Sequence, residues 1–299
     1  MKILILGNWA REVTINYILY KNNNVICECS NKEKFETIKE IINDKKIEMV
    51  IPSTEVYLCK GIKDYLEKEI ENIKVFGPTK EQAKLEGSKY YSKKIMNELN
   101  IPTSTYTFLN NYEEVKKYYE DIRVCPEKTV IKYDGLAYGK GVYLPDTVEE
   151  SLKAIKNLFY KNDGGIIVEK RLYGTEVSVL AFCNGKEAYL MPEAQDYKRI
   201  YDGDKGPNTG GMGAICPANI LTKEELIKVK NHMDKVVKKL NYKGILYAGL
   251  MKSDDGGIYF LEFNCRFGDP EAQVILNLLD SNLLNILNPF LFHWFQNHH

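Results

Sequence analysis

Lys132 ends the apolar run Val130-Ile-Lys132 and leads directly into Tyr133-Asp-Gly-Leu-Ala-Tyr-Gly-Lys-Gly141. Gly135, Gly139 and Gly141 leave backbone N–H groups in this loop open to close approach by an anion, and Lys132 and Lys140 bring positive charge to it. Such a loop suits phosphate. It is not a Walker A loop, because Gly139-Lys140-Gly141 runs into a strand pattern and lacks the Gly-Lys-Ser/Thr that opens a helix. Taken alone, a glycine-rich hairpin is the plainer reading of the same residues. A second group lies far along the chain, where Glu262 and Asn264 emerge on one face of a strand and combine a carboxylate with an amide oxygen, a pair that suits a hard cation such as Mg²⁺. Two polar residues on a solvated strand face would look the same, but the turn that follows, Cys265-Arg-Phe-Gly-Asp-Pro-Glu271, is charged and rich in hydrogen-bonding groups.

Any anion binding here must be local. Across 299 residues, 41 basic side chains balance 41 acidic ones, so there is no global field to attract nucleic acid or an anionic membrane. With 44% hydrophobic and 27% charged residues the chain reads as folded throughout, and its length fits two or three domains. Seven scattered cysteines with no CxxC argue against a zinc or disulfide framework. The N-terminal apolar run is too short for a signal segment, and no run is long enough to span a membrane, so a cytoplasmic location is expected.

The elements that must position these groups follow from periodicity. Residues 2–6, 24–29, 49–52 and 73–76 read as strands with helices at 11–20 and 32–43 between them, the pattern of a small doubly wound parallel sheet that would present the turns at 7–12 and 52–55 on its binding side. A helix at 88–99 precedes a break at Pro102. Then come strands at 104–109, 129–133, 141–144 and 165–169 with helices at 113–120 and 148–160, an α+β module. Strands at 177–182, 187–191, 244–251 and 257–263, with a helix at 223–240, complete the chain. The four glycines within 206–213 predict a segment too flexible for a core element, one that orders over bound substrate.

Several runs resemble a known family, the phosphoribosylamine–glycine ligases among the ATP-grasp ligases. They are Phe76-Gly-Pro-Thr, Leu85-Glu-Gly-Ser-Lys89, the stretch 130–142, Gly206-Pro-Asn-Thr-Gly-Gly-Met-Gly213, Leu246-Tyr-Ala-Gly-Leu-Met251 and Glu262-Phe-Asn-Cys-Arg-Phe-Gly-Asp-Pro-Glu271, within a resemblance reaching from about Phe76 to Asn285. It implies an α/β and α+β chain: an ATP-grasp fold preceded by the small parallel-sheet domain. The expected division is an N-terminal α/β domain at 1–77, a connecting helical segment at 78–100, a lid at 101–174, a central subdomain at 175–287 and a tail at 288–299.

The resemblance also implies roles. ATP would lie between the lid and the central subdomain, with Lys89 and Lys132 meeting its phosphates, the loop residues Gly135, Gly139, Lys140 and Gly141 covering them, and Mg²⁺ or Mn²⁺ held by Glu262 and Asn264. Glu169 and Leu172 would contact adenine largely through backbone, and Glu176 would bind the ribose hydroxyls. The implied reaction phosphorylates a glycine carboxylate and lets an amine attack the acyl phosphate. Arg266 would offset developing charge; Asp196 and Asp269 are candidates for orienting the amine-bearing substrates, with a loop-capping carboxylate as the plainer alternative for both. Asn8, Arg11, Glu12, Lys198, Asn208, Thr209, Gly210, Gly211, Gly268 and Pro270 complete the expected substrate contacts. Small molecules, not nucleic acid or membrane, are the expected partners.

Two turns depart from the family. Where it reads Gly-Asn-Gly-Gly-Arg-Glu, this chain has Gly7-Asn-Trp-Ala-Arg-Glu12, and where it reads Val-Gly-Pro-Glu, this chain has Ile51-Pro-Ser-Thr-Glu55. On this resemblance the chain is expected to lack the family's C-terminal domain. Because Trp9 and Ala10 replace glycines that help receive a ribose phosphate, the sequence points first to an amide-forming ligase whose acceptor is an amine other than phosphoribosylamine. A minimal phosphoribosylamine–glycine ligase is the alternative, and a nucleotide-binding pseudoenzyme is a third reading.

Overall fold

A computed structural model describes residues 1–23, 26–30, 34–121, 124–136, 141–161, 164–203 and 205–287. The chain divides into two compact units, one of residues 1–83, 176–249 and 263–299, the other of residues 84–175 and 250–262.

In chain order the first unit opens with β1 (Lys2–Leu6), α1 (Ala10–Asn23), β2 (Ile26–Ser30), α2 (Phe35–Lys45), β3 (Met49–Pro52), α3 (Glu55–Lys60), α4 (Ile62–Glu69) and β4 (Lys74–Val75). The strands form a parallel sheet in the order β2, β1, β3, β4, the doubly wound arrangement that the alternation of apolar runs predicts. Both faces are covered. Ile3 and Ile5 pack with Ile15, Leu19 and Met49 on one side, while Leu4 and Leu6 pack with Ile38, Ile42, Val50 and Leu66 on the other, which is why β1 is apolar at every position after Lys2.

The second unit takes α5 (Lys84–Gly87), α6 (Lys89–Glu98), β5 (Tyr106–Leu109), α7 (Tyr112–Glu120), β6 (Thr129–Tyr133), β7 (Val142–Tyr143), α8 (Val148–Lys161) and β8 (Ile166–Lys170). Its sheet has the order β5, β8, β6, β7 and is antiparallel at each described pairing. Ile131, Tyr133, Ile166 and Val168 face Val115, Tyr119, Ile155 and Leu158 of α7 and α8. Alternation along β6 and β8 therefore sends Lys132 and Glu169 to the opposite face. The loop between β6 and β7 includes Gly139 and Lys140, which lie outside the described residues.

The remaining elements are β9 (Gly174–Asn184), β10 (Ala188–Leu190), β11 (Gln195–Asp196), β12 (Arg199–Tyr201), β13 (Lys205–Asn208), β14 (Ala214–Ile215), α9 (Lys223–Leu240), β15 (Lys243–Ser253), β16 (Ile258–Asn264), α10 (Glu271–Ile275) and α11 (Leu283–Leu287). One sheet takes the order β10, β9, β15, β16. The capping box of Thr222 and Glu225 fixes the start of α9, where the sequence places it. Around the glycine-rich stretch 206–213, residues 205–208 form β13 against β12, Thr209 donates twice to the Lys198 carbonyl, and Met212 and Gly213 exchange backbone bonds with Tyr197.

Candidate active site

In the second unit Glu169 lies between two lysines. Its side chain is buried, with Lys132 Nζ 3.0 Å from Oε1 and Lys93 Nζ 3.0 Å from Oε2. Lys93, absent from the sequence prediction, lies four residues after Lys89 on α6 and is itself buried. Lys89 Nζ donates to the Gly135 carbonyl at 3.0 Å, which brings the start of α6 to the first glycine of the loop. Burial lowers the Lys89 pKa, while the Glu262 charge opposes that shift. Asp134 ties the same two elements together, accepting from the Ser88 hydroxyl at 3.0 Å and from the Tyr90 N–H at 3.0 Å. Gly135 has φ +156°, and a Cβ there would stand 2.5 Å from the Tyr133 ring, so the turn needs glycine. Gly141 accepts from the Tyr133 N–H at 2.9 Å, and Leu172 is half-buried just beyond β8.

In the first unit the turn at 7–12 faces the turn at 266–271. Arg11 Nε donates to Glu12 Oε1 at 2.8 Å and Arg11 Nη1 to the Phe267 carbonyl at 2.9 Å, while Glu12 Oε2 accepts from the Trp9 N–H at 2.7 Å. Glu12 is fully buried and Arg11 nearly so. Their charges satisfy each other and the backbone inside the turn. Trp9 is 70% exposed, so its ring is not packed into the turn, and Asn8 is exposed beside it. The Arg11 N–H also reaches Asp269 Oδ2 at 3.4 Å, and Asp269 Oδ1 accepts from Gln273 at 2.6 Å.

Asp196 and Pro270 converge on Gly211, where a Cβ would stand 2.6 Å from Pro270 and 3.1 Å from Asp196 Oδ1. Burial above all, then the charges of Glu271, Glu176 and Asp269, push the Asp196 carboxyl up to about 7, against the pull of Lys198. Glu271 is a further buried acid, accepting from Tyr247 OH at 2.6 Å and Ser178 Oγ at 3.0 Å. A side chain on Gly268 would clash with it. Lys198 pairs with Glu176 at 3.1 Å on the exposed edge, Thr209, just before Gly210, donates to the Lys198 carbonyl at 2.7 Å, and Asn208 aligns with Arg199 across the hairpin.

Glu262 and Asn264 lie two residues apart on β16, and Asn264 Oδ1 accepts from Arg266 Nη2 at 3.4 Å. Arg266 Nε is also 3.5 Å from Glu55 Oε2. No cluster of three or more His, Cys, Asp or Glu side chains arranged for a metal occurs among the described residues. A carboxylate and an amide oxygen nevertheless fit Mg²⁺, which takes one or two protein oxygens and completes its shell with phosphate and water. No helix among the described residues is long and apolar enough to cross a membrane.

Comparison with known proteins gives the context. Residues 1–86 match the family Phosphoribosylglycinamide synthetase, N domain, and residues 87–272 match Phosphoribosylglycinamide synthetase, ATP-grasp (A) domain. The chain is 38% identical to a phosphoribosylamine–glycine ligase of Caldanaerobacter subterraneus, over 97% of this chain and 75% of that protein. Among solved structures, a phosphoribosylamine–glycine ligase of Thermotoga maritima aligns with a TM-score of 0.79 and 31% identity, over 97% of this chain and 75% of that one. A D-alanine–D-alanine ligase of Bacillus anthracis shares the fold at a TM-score of 0.71 and 18% identity, over 96% of both chains. With both domains matched in order and a relative above one-third identity along nearly the whole chain, this protein belongs to the phosphoribosylglycinamide synthetase family of ATP-grasp ligases.

Proposed function

We propose that the chain joins glycine to phosphoribosylamine at the expense of ATP, giving glycinamide ribonucleotide, ADP and phosphate. This sets aside the different acceptor that the altered turn suggested. The observation that carries the reading is the frame of that turn: Gly7, Arg11, Glu12 and Phe267 hold it while the Trp9 ring projects outward, so the added bulk lies outside the frame. Relatives that bear the ligase's name at 35–38% identity over about 96% of the chain support the same reading.

In this proposal Lys89 and Lys132 attract the ATP phosphates, and Glu169 and Leu172 offer backbone groups to adenine while Glu176 meets the ribose. A glycine carboxylate oxygen attacks the γ-phosphorus and ADP leaves; the acceptor amine then attacks the glycyl carbonyl, loses a proton, and phosphate departs with one former carboxylate oxygen. Glu262 and Asn264 would hold Mg²⁺, which neutralises phosphate charge when bound. Arg266, beside Asn264, offsets charge on the carbonyl oxygen, and Asp196 and Asp269 orient the amines near Gly211 and Pro270. Asn8, Lys198, Asn208, Thr209 and Gly210 edge the substrate positions. Glycine labelled with ¹⁸O in its carboxylate tests the route: one label per turnover should appear in phosphate, and unlabelled phosphate would exclude the acyl phosphate.

A further inference from the structure

The proposed function uses Lys132 and Glu169 but leaves Lys93 without a task. Lys93 Nζ donates to Thr103 Oγ1 at 2.6 Å and to Glu169 Oε2 at 3.0 Å. The Thr103 hydroxyl is itself committed as a donor to the Phe260 carbonyl at 2.6 Å, so it can only accept from Lys93. Lys93 is thereby held as an ammonium aimed at Glu169, not at open space. Lys93 and Glu169 side chains are each 2% exposed and that of Lys132 is 8% exposed.

Charge arithmetic makes this arrangement informative. One carboxylate with one lysine would be neutral, whereas within the trio of Glu169, Lys93 and Lys132 one positive charge is in excess, with Glu262 as the next anion acting on Lys93. Burying an uncompensated cation is costly, and a methionine at position 93 would fill similar space without that cost. Burial above all, with the Lys132 charge beside it, brings the Lys93 pKa down to about 8 against the attraction of Glu169 and Glu262.

Resting on the nucleotide-dependent function proposed above, we infer that Lys93 is a positioning residue: it holds Glu169 by its second oxygen and cancels that charge, leaving the charge of Lys132 for the nucleotide's phosphates. The role deepens the site by one residue and assigns Glu169 a side-chain function besides its backbone contact.

Calorimetric titration of the full chain with MgATP and with adenosine separates phosphate attraction from base and ribose contacts. Lys93→Met should weaken MgATP by about tenfold or more and adenosine by less than about threefold, with KM for ATP rising more than kcat falls. Lys93→Arg should restore most of the loss. Lys93→Met combined with Glu169→Gln removes one charge of each sign, frees Lys132 again, and should return the ratio of ATP to adenosine affinity to within about threefold of wild type. Equal losses for ATP and adenosine in Lys93→Met, or no recovery of the ratio in the double variant, would overturn the inference. A wild-type chain that binds no MgATP would instead remove the nucleotide reading on which it rests.

Discussion

At the scale of single residues, the chemistry separates into acids that hold structure and acids free to act. Glu12 is buried with both oxygens taken by neighbours and Glu271 is buried with Oε1 accepting from Tyr247 and Ser178, whereas Asp196 has its carboxyl raised to about 7 by burial and by surrounding acids. Between the ordinary carboxylate range and about pH 7 the folded protein therefore holds a proton that the unfolded chain releases, so this group's contribution to stability falls as pH rises through that window. Asp196→Asn should raise Tm by a few degrees near pH 8, leave it nearly unchanged near pH 4, and lower turnover, as read by thermal unfolding across pH beside steady-state assays. A Tm gain independent of pH would contradict the ionisation argument. Glu262→Ala should reduce kcat/KM by about a hundredfold or more with circular dichroism unchanged, because it removes the proposed carboxylate ligand of Mg²⁺. Near-normal turnover would remove Glu262 from the metal.

At the scale of elements, the site depends on turns that only glycine closes. Gly7 has φ +130°, and a Cβ there would stand 2.7 Å from the Glu12 side chain that anchors the Trp9 N–H. Gly7→Val should cost roughly 1–3 kcal/mol in urea unfolding and weaken acceptor binding more than ATP binding. Equal loss of both would mean that the turn does not serve the acceptor. The same scale shows what the sequence could reveal. β3, β6 and α9 were legible to the residue because each has a clean apolar period or a capping signal. The pair α3 and α4 escaped notice because Gly61, in a left-handed conformation, breaks one helical period into two short pieces. The short strands β11 to β14 were hidden because glycines and polar residues pair there only through tertiary contact. Motif residues such as Lys132 and Glu262 could be read from local pattern. Lys93 could not, since its partner Glu169 is 76 positions away and nothing local joins them.

At the scale of the whole molecule, the N domain and ATP-grasp domain of one family account for residues 1–272 in order, and the chain spans about three quarters of the relatives it matches. A nucleotide-dependent enzyme of this build should be stabilised by its nucleotide. MgATP at about 100 times its Kd should add about 2.7 kcal/mol of stability and raise Tm by several degrees, with a smaller shift in Lys132→Ala. No shift would oppose the nucleotide reading. The central claim concerns the product, and it is tested most directly by supplying the purified chain with glycine, MgATP and phosphoribosylamine formed in situ, beside a panel of other primary amines, and weighing the products by mass spectrometry. The expected result is glycinamide ribonucleotide formed in step with ADP, at a rate well above that for any other amine. An amide to a different amine, with none to phosphoribosylamine, would contradict the account.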